Sequence, residues 1–281
     1  MGVFRYVVCD VFTDRALAGN QLAVFTDARD IPEGALQSLA REMAFSETVF
    51  VYPANGDAHV RLRIFTPAVE IPFAGHPVLG SAFVLGGPLQ AETVKLETGV
   101  GVIPVRLDRE GARIVFGRME QMVPTWRPFE HGAELLEALG ADRSRLPLLL
   151  YDNGLRHVFV VLESEAAVAA LEPDFARLAT VPDVMLTSCS AGSGRRWKTR
   201  MFAPADGVAE DPATGSAAGP LAVHLVRHGL AESGDELEIS QGAELSRPST
   251  LYATAWGTHE EIERVEVAGS AVVVARGEFQ L

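Results

Sequence analysis

Two segments of the chain place residues capable of acid–base chemistry next to runs of very small residues. Residues 65–82 read FTPAVEIPFAGHPVLGSA, and residues 202–219 read FAPADGVAEDPATGSAAG. His76 in the first segment and Asp211 in the second are each followed directly by a proline. Proline is favoured at the first position of a helix and Asp is a favoured N-cap, so each segment is expected to start a helix.

The two predicted helices run from Pro77 to Leu85 and from Pro212 to about His228. The first is expected to end at Gly86–Gly87 and the second at Gly229, because glycine commonly terminates helices. The small residues at the start of the second helix leave backbone N–H groups open, and the positive end of the helix dipole favours an anion there. Taken alone, this segment is explained equally well by a capped helix whose small residues only permit close packing.

A repeat across the two halves of the chain favours the anion site. The motif F-x-P-A recurs after 137 residues, from Phe65 to Phe202, and the motif G-S-A recurs after 135 residues. These offsets are about half of the 281-residue chain. Asn20 and Asn153, each followed by a strand-like segment, form a fainter echo of the same repeat. We therefore expect two related halves, each delivering a helix N-terminus to a shared cleft.

Glu47 is a third candidate for chemistry. It begins the segment E-T-V-F-V, and the two-residue period of a strand places it on the same face as Val49 and Val51. A carboxylate that shares a face with valines suggests a functional role. The alternative is a solvated residue at the beginning of a strand.

The composition limits the possible partners. The net charge is −13 and the isoelectric point is near 5, which argues against nucleic acid and anionic membranes as partners. No apolar run approaches the roughly 18 residues of a membrane-spanning helix, and the first residues lack a basic region followed by an apolar core. The expectation is a soluble cytoplasmic protein.

Other kinds of site have weaker support. His224 and His228 have the spacing of a metal-binding pair, but no third ligand is evident, so no metal is expected. The glycines after residue 74 lack the lysine of a phosphate-binding loop, and no dinucleotide fingerprint follows a strand, so no cofactor is expected. Ser188, Ser190 and Ser193 are interpreted as part of a flexible turn.

Short strands with antiparallel patterning around two buried helices predict an α+β fold, with a lobe boundary near 124–128. Four motifs then identify a family. G-N-x-L-A-V-F, S-E-T-V-F, E-I-P-F-A-G-H-P and E-D-P-A-T-G-S-A resemble the PhzF-like proteins of phenazine biosynthesis, from Phe4 to at least Arg247. This family shares its fold with diaminopimelate epimerase and proline racemase.

The resemblance implies a diaminopimelate epimerase-like fold of two pseudo-symmetric lobes, each with a mostly antiparallel sheet wrapped around a central helix. The lobes are expected at 1–122, completed by a C-terminal strand within 270–281, and at 123–269. A homodimer is also implied by the resemblance.

The resemblance assigns site residues in both halves. They are, as catalytic groups, Glu47, His76 and Asp211, and, as substrate-binding groups, Asn20, Gly75, Thr214, Gly215 and Ser216. Three further residues recur in the family pattern without a role that separates binding from structure. These are Arg200, Gln241 and Arg247.

The resemblance also limits the chemistry. The related racemases carry one cysteine at each helix start, where this chain has Ala74-Gly75-His76 and Asp211-Pro212-Ala213. A two-thiol mechanism is therefore not expected. The predicted function is a cofactor-independent isomerase that moves a proton within a small carboxylic acid held at the helix N-termini, with Glu47 as the base. The alternatives are a racemase or epimerase with altered catalytic residues, and a non-catalytic small-acid-binding protein.

Overall fold

The computed structural model describes residues 2–281, which form two compact units. The first unit comprises the described residues up to Glu120 together with Ala268–Leu281, and the second comprises Gln121–Val267. Both units combine a β-sheet with a few helices, which confirms the predicted α+β class.

The elements up to residue 121 alternate single helices with groups of strands. They are β1 (Val3–Val11), β2 (Asn20–Phe25), α1 (Glu33–Met43), β3 (Glu47–Tyr52), β4 (Val60–Phe65), β5 (Glu70–Ile71), α2 (Gly75–Leu89), β6 (Thr93–Thr98), β7 (Gly101–Glu110) and β8 (Arg113–Gln121).

The remaining elements include a second long helix and several short ones. They are β9 (Thr125–Pro128), α3 (Gly132–Leu139), β10 (Leu149–Asp152), β11 (Arg156–Val161), α4 (Glu165–Ala169), α5 (Phe175–Leu178), β12 (Leu186–Ser193), β13 (Arg196–Ala203), β14 (Val208–Asp211), α6 (Gly215–Arg227), β15 (Leu237–Gln241), β16 (Ser249–Gly257), β17 (Ile262–Gly269) and β18 (Ala271–Gln280).

The sheet of the first unit separates two packing faces. Its last strand, β18, pairs antiparallel with β1, which pairs antiparallel with β2, while β2 and β3 run parallel. One face carries Phe25 and Phe50, which pack with Leu36 and Leu39 of α1. Helix α2 contacts β1, β2, β3, β6, β7 and β18. Because side chains alternate along a strand, the sheet buries apolar residues on both faces.

Helix α2 is longer than the sequence indicates. It begins at Gly75 and continues through Gly86–Gly87 to Leu89, so the predicted end at Gly86–Gly87 is wrong. A Cβ atom at Gly86 would lie 2.4 Å from a methyl carbon of Leu107, so this glycine serves close packing against β7. The helix ends at Gln90, which has left-handed backbone angles. Packing, rather than termination, therefore explains Gly86.

The second unit has a related arrangement. β10 and β11 are antiparallel, β11 and β12 are parallel, and β12 and β13 are antiparallel. A core cluster that includes Leu135, Leu150, Val158 and Phe202 joins these strands to α3, α4 and α5. Helix α6 contacts β11 and β16, and it is buried along most of its length.

The start of α6 differs from the predicted one. Asp211 is the final residue of β14, where it pairs with Met201 of β13, and the helix begins at Gly215 after the N-cap Thr214. The prediction that Asp211 is the N-cap and Pro212 the first helical residue is therefore wrong. Strand pairing holds Asp211 in extended backbone, which delays the helix by three residues.

The predicted flexible turn at Ser188, Ser190 and Ser193 is also wrong, because these residues belong to β12. Ser188 and Ser190 are buried, and Ser190 Oγ donates a hydrogen bond to Thr199 Oγ1 at 3.0 Å. The small residues of β12 accommodate its neighbour: a Cβ atom at Gly192 would lie 2.7 Å from the Cα atom of Trp197.

Two buried histidines belong to the core of the second unit. His224 stacks on Phe159, with ring centroids 5.7 Å apart, and its Nδ1 lies 2.9 Å from the Tyr151 hydroxyl. His157 also stacks on Phe159, with ring centroids 6.2 Å apart, and neither of its ring nitrogens has a hydrogen-bond partner. Burial lowers the pKa of both histidines to about 3. Within residues 2–281, no group of three His, Cys, Asp or Glu side chains is placed to hold a metal ion.

None of the helices in the described residues is both long and apolar enough to cross a membrane.

His157 should make the stability of the protein depend on pH. Its pKa is about 3 when folded, against an ordinary value of 6.5, so below pH 6.5 the unfolded chain takes up a proton that the folded chain does not. The stability that neutral His157 provides is thus present above pH 6.5 and lost as the pH falls towards 3. His157→Phe should remove this dependence, about 1.4 kcal/mol per pH unit for one proton.

Urea unfolding at pH 7, 6, 5 and 4.5 measures this difference, with the exposed His259→Phe as control. The difference in unfolding free energy between His157→Phe and the parent should shift steadily in favour of the variant below pH 6. Parallel pH curves for the parent and His157→Phe would contradict the assignment.

Candidate functional site

The starts of α2 and α6 combine burial with the lack of a side-chain cap; α1 and α3 also lack caps, but their first turns include exposed residues. In α4 and α5, the N-cap side chains of Ser164 and Asp174 accept hydrogen bonds from backbone N–H groups of the first turn. The N-caps of α2 and α6, Ala74 and Thr214, make no such bond, and the first residues of both helices are buried. A helix start without a side-chain cap leaves its first backbone N–H groups without an acceptor inside the helix.

The open donors belong to the first two residues of each helix. The first intrahelical bond in α2 runs from Val78 N–H to the Ala74 carbonyl, at 3.3 Å. In α6, Ala217 N–H bonds to the Thr214 carbonyl at 3.1 Å. The N–H groups that precede these bonds belong to Gly75 and His76 in α2, and to Gly215 and Ser216 in α6. Together with the helix dipole, they suit an anionic group.

In the first unit, the sheet brings three predicted residues together at the start of α2. Leu22 of β2 pairs with Glu47 of β3, so Asn20, two residues before Leu22, shares the sheet face of Glu47. Asn20 Nδ2 lies 3.1 Å from His76 Nδ1, and His76 Nε2 lies 3.4 Å from Glu47 Oε2. The Glu47 side chain is 14% exposed, and that of His76 is 3% exposed.

Asn20 determines the tautomer of His76. With the Asn20 amide nitrogen facing the ring, this nitrogen can only donate, so this orientation requires His76 Nδ1 to accept and the ring proton to reside on Nε2. Burial lowers the pKa of His76 to about 3, partly offset by a hydrogen bond with the Gln21 backbone. The 3.4 Å contact with Glu47 therefore joins a carboxylate to a neutral imidazole N–H and is not an ion pair.

In the second unit, Asp211 and Thr214 form a buried pair. Thr214 Oγ1 donates to Asp211 Oδ2 at 2.6 Å, the short distance typical of a hydroxyl bound to a charged carboxylate. Gln241, at the end of β15, makes three hydrogen bonds to this segment. Its Oε1 accepts from Thr214 N–H at 3.1 Å, and its Nε2 donates to the Asp211 carbonyl at 2.7 Å and to Thr214 Oγ1 at 2.9 Å.

Two further buried amides hold the first turn of α6. Asn153 Nδ2 donates to the Ser216 carbonyl and Gln121 Nε2 donates to the Gly215 carbonyl, each at 2.9 Å. The echo between Asn20 and Asn153 gave a sequence signal for one of these residues. No feature of the sequence pointed to Gln121.

The helix starts revise the alignment of the repeat. Asn20 contacts the second residue of α2 and Asn153 contacts the second residue of α6, so the two asparagines are equivalent. The G-S-A motif, however, begins at the first residue of α6 but six residues into α2, at Gly80. A Cβ atom at Gly80 would lie 2.7 Å from side-chain carbons of Leu22 and Val11, so this glycine permits close packing.

Arg200 has a structural role in the second unit. Its guanidinium donates to both carboxylate oxygens of Glu210 at 2.8 Å and to the Leu171 carbonyl at 2.8 Å. These contacts join β13 to β14 and to the segment after α4. Arg247 contributes backbone contacts to the turn after β15, since its N–H bonds to the Gly242 carbonyl.

The two cysteines are unsuited to a thiol mechanism. Cys9 and Cys189 are free and fully buried within strands, away from the first turns of α2 and α6 in sequence. Burial raises the pKa of both thiols, that of Cys189 to about 12. Both are therefore neutral thiols at physiological pH, and neither supplies a thiolate base.

Comparison with known proteins agrees with the motifs. Residues 9–277 match the family described as phenazine biosynthesis-like proteins. The chain is 49% identical over 277 residues to a trans-2,3-dihydro-3-hydroxyanthranilate isomerase of Pseudomonas aeruginosa, with 99% of both chains covered. This chain belongs to the PhzF family. It is an isomerase, as are its relatives in that family.

Solved structures confirm the predicted fold. The structure of a PhzF-family phenazine biosynthesis protein from Bacillus anthracis has a TM-score of 0.85, with 24% identity and complete coverage of both chains. A probable proline racemase from Agrobacterium radiobacter has a TM-score of 0.69 at 15% identity, covering 99% of this chain and 93% of its own. The PhzF chain therefore shares its fold with the proline racemase-like epimerases.

The role of Asn20 in fixing the His76 tautomer can be tested with Asn20→Asp. A carboxylate would accept a hydrogen bond from Nδ1, so the ring proton should move from Nε2 to Nδ1. The nearby negative charge should also raise the pKa of His76 from about 3. Nitrogen-15 chemical shifts of the imidazole ring, followed against pH, report both changes.

Asn153→Asp is the matched control, because Asn153 also contacts the second residue of its helix, here through the Ser216 backbone carbonyl. It should leave the His76 ring signals unchanged. An unchanged tautomer in Asn20→Asp would contradict the assignment.

Proposed function

We propose that this PhzF-family isomerase moves a proton between two carbons of a small cyclic amino carboxylic acid, without a cofactor, and that Glu47 carries the proton. The observation that carries the proposal is the Glu47 carboxylate set beside neutral His76 at a buried, uncapped helix start. The relative at 49% identity is named for trans-2,3-dihydro-3-hydroxyanthranilate, a ring bearing carboxylate, amino and hydroxyl groups. We propose the same compound as substrate.

The proton transfer needs one group that accepts a proton and later returns it. Glu47 is only slightly exposed, and its close neighbour His76 is neutral, so no cationic imidazole competes with the substrate proton for the carboxylate. In the proposed mechanism, Glu47 removes a proton from one ring carbon and delivers it to another carbon of the same molecule. General acid–base catalysis of this kind typically contributes about 10² to 10⁴-fold in rate.

The open N–H groups at the start of α2 have an electrostatic role in this proposal. When a C–H proton leaves, negative charge develops on the ring and its carboxylate. Backbone donors of Gly75 and His76 are fixed before the reaction and stabilise this charge without reorganising. Asn20 keeps the His76 proton on Nε2, so the imidazole acts as a neutral donor.

The start of α6 carries groups that suit the same class of ligand. Asp211 is a buried acceptor suited to an amino or hydroxyl group of the substrate. The N–H groups of Gly215 and Ser216, with Thr214 before them, suit an anionic group. The homodimer implied by the family resemblance stays a prediction, and sedimentation velocity at micromolar concentration tests it.

Glu47→Gln tests the central assignment. The amide keeps the shape of the side chain and most of its hydrogen bonding, but it does not accept the substrate proton. Turnover of trans-2,3-dihydro-3-hydroxyanthranilate, and deuterium uptake from D2O, should fall by about 10² to 10⁴-fold. Binding of the aromatic analogue 3-hydroxyanthranilate, measured by calorimetry, should stay within a few-fold of the parent.

Glu42→Gln, an exposed change on α1, serves as the control and should keep parental turnover. Near-normal turnover in Glu47→Gln would show that another group carries the proton. A parent protein that binds the acid but neither converts it nor exchanges its C–H protons would instead support a non-catalytic binding protein.

A further inference from the structure

The N-cap residue of α6 does not use its hydroxyl in the usual way. An N-cap threonine ordinarily accepts a hydrogen bond from a backbone N–H of the first helical turn. Thr214 makes no such bond, and its hydroxyl contacts Asp211 Oδ2 at 2.6 Å instead. Something other than helix capping therefore determines the direction of this hydroxyl.

The amide of Gln241 provides the constraint. Both of its N–H bonds are used, one by the Asp211 carbonyl and one by Thr214 Oγ1, while its oxygen accepts from Thr214 N–H. Rotating the amide by 180° would place its oxygen against two acceptors and its nitrogen against a donor. Only one orientation of Gln241 therefore satisfies all three contacts.

That orientation also determines where the Thr214 proton goes. A hydroxyl has one proton to donate, and the Thr214 hydroxyl oxygen already accepts a hydrogen bond from Gln241 Nε2. The hydroxyl proton must then be directed to another acceptor, and Asp211 Oδ2 is 2.6 Å away. Gln241, Asp211 and Thr214 are 3%, 4% and 6% exposed, so water competes little for these bonds.

The backbone holds Gln241 in place for this task. It is the last residue of β15 and pairs with Ser249 of β16. The next residue, Gly242, has a φ of +80°, and a Cβ atom there would lie 2.5 Å from the Pro212 carbonyl oxygen. Glycine thus allows the end of β15 to approach the segment between β14 and α6 closely.

We propose that Gln241 is a positioning residue, which directs the Thr214 hydroxyl onto Asp211 and so fixes the orientation of the Asp211 carboxylate for substrate. The inference rests on the proposed function, in which Asp211 contacts substrate. Gln241 itself acts only through Thr214 and the backbone at Asp211.

Four variants separate this role from a structural one. Gln241→Leu removes all three hydrogen bonds, and Gln241→Glu keeps the shape but, when ionised, gives Thr214 a second acceptor. Thr214→Val removes the hydroxyl at nearly constant volume, whereas Thr214→Ser retains it. Since small displacements of a binding group cost about 10²-fold in rate, Gln241→Leu and Thr214→Val should each lower kcat/KM by roughly that factor. Thr214→Ser retains the hydroxyl, so its loss in kcat/KM should be clearly smaller than that of Thr214→Val.

The pH profile and the double variant give readouts that a loss of folding would not reproduce. For Gln241→Glu, the ratio of its kcat/KM to that of the parent should rise as the pH falls, because the protonated carboxyl again donates to Thr214. The double variant Gln241→Leu with Thr214→Val should be no slower than the slower single variant, since both remove the same link. The proposal would be overturned if the kcat/KM losses of the two single variants multiplied in the double variant. It would also be overturned if the Gln241→Glu to parent ratio of kcat/KM did not change with pH.

A crystal structure of Gln241→Leu tests the inference without any assay. The Thr214 hydroxyl should rotate, and its 2.6 Å contact with Asp211 should be lost. An unchanged contact together with parental kcat/KM would overturn the positioning role. Failure of the proposed function gives a different result from failure of the positioning role. If Asp211 does not act on substrate, Asp211→Asn should retain parental kcat/KM. The Gln241→Leu structure would still show whether Gln241 orients the Asp211 carboxylate.

Discussion

The structure depends on burying two helix starts that carry no side-chain caps. A buried N–H group without an acceptor costs about 1–3 kcal/mol, so most proteins cap such groups or leave them in water. α4 and α5 follow the first solution, with Ser164 and Asp174 as caps. α2 and α6 follow neither, and their first residues are among the most buried in the chain. Donors that the fold leaves open in this way are available to a ligand.

Buried amide side chains anchor both helix starts. Asn20 contacts the ring of His76 and Asn153 contacts the Ser216 carbonyl, so each unit uses an asparagine at the second residue of its helix. The second unit adds Gln121 and Gln241, which bind backbone groups before and within the first turn. Amides suit this task because they both donate and accept without carrying charge into the interior. The repeat in the sequence reflects this shared solution, although the G-S-A motif aligned it incorrectly.

Local patterns predicted the strand β3 and the two long helices but not the helix ends that depend on distant partners. The two-residue period placed Glu47, Val49 and Val51 in β3, and the small-residue segments placed α2 and α6. Asp211-Pro212 has the local chemistry of a helix start, yet pairing with Met201 and the bonds from Gln241, 30 residues away along the chain, hold it extended. Gly86–Gly87 similarly has the chemistry of a helix end, but the helix continues through it and Gly86 packs against Leu107. The closeness of Glu47, His76 and Asn20 came from family resemblance, because sequence periodicity alone does not show which strand face meets α2.

The comparison with proline racemase shows how one fold can hold different chemistry. The two proteins share a fold at 15% identity, and a shared fold does not by itself determine function. Racemisation by two thiols requires a thiolate and a thiol, whereas both cysteines here are buried and neutral. Moving a proton between carbons of one molecule requires a single base that returns what it takes. In the proposed mechanism, the Glu47 carboxylate meets this requirement beside an imidazole that burial keeps neutral, since this imidazole neither forms an ion pair with the base nor competes with it for the substrate proton.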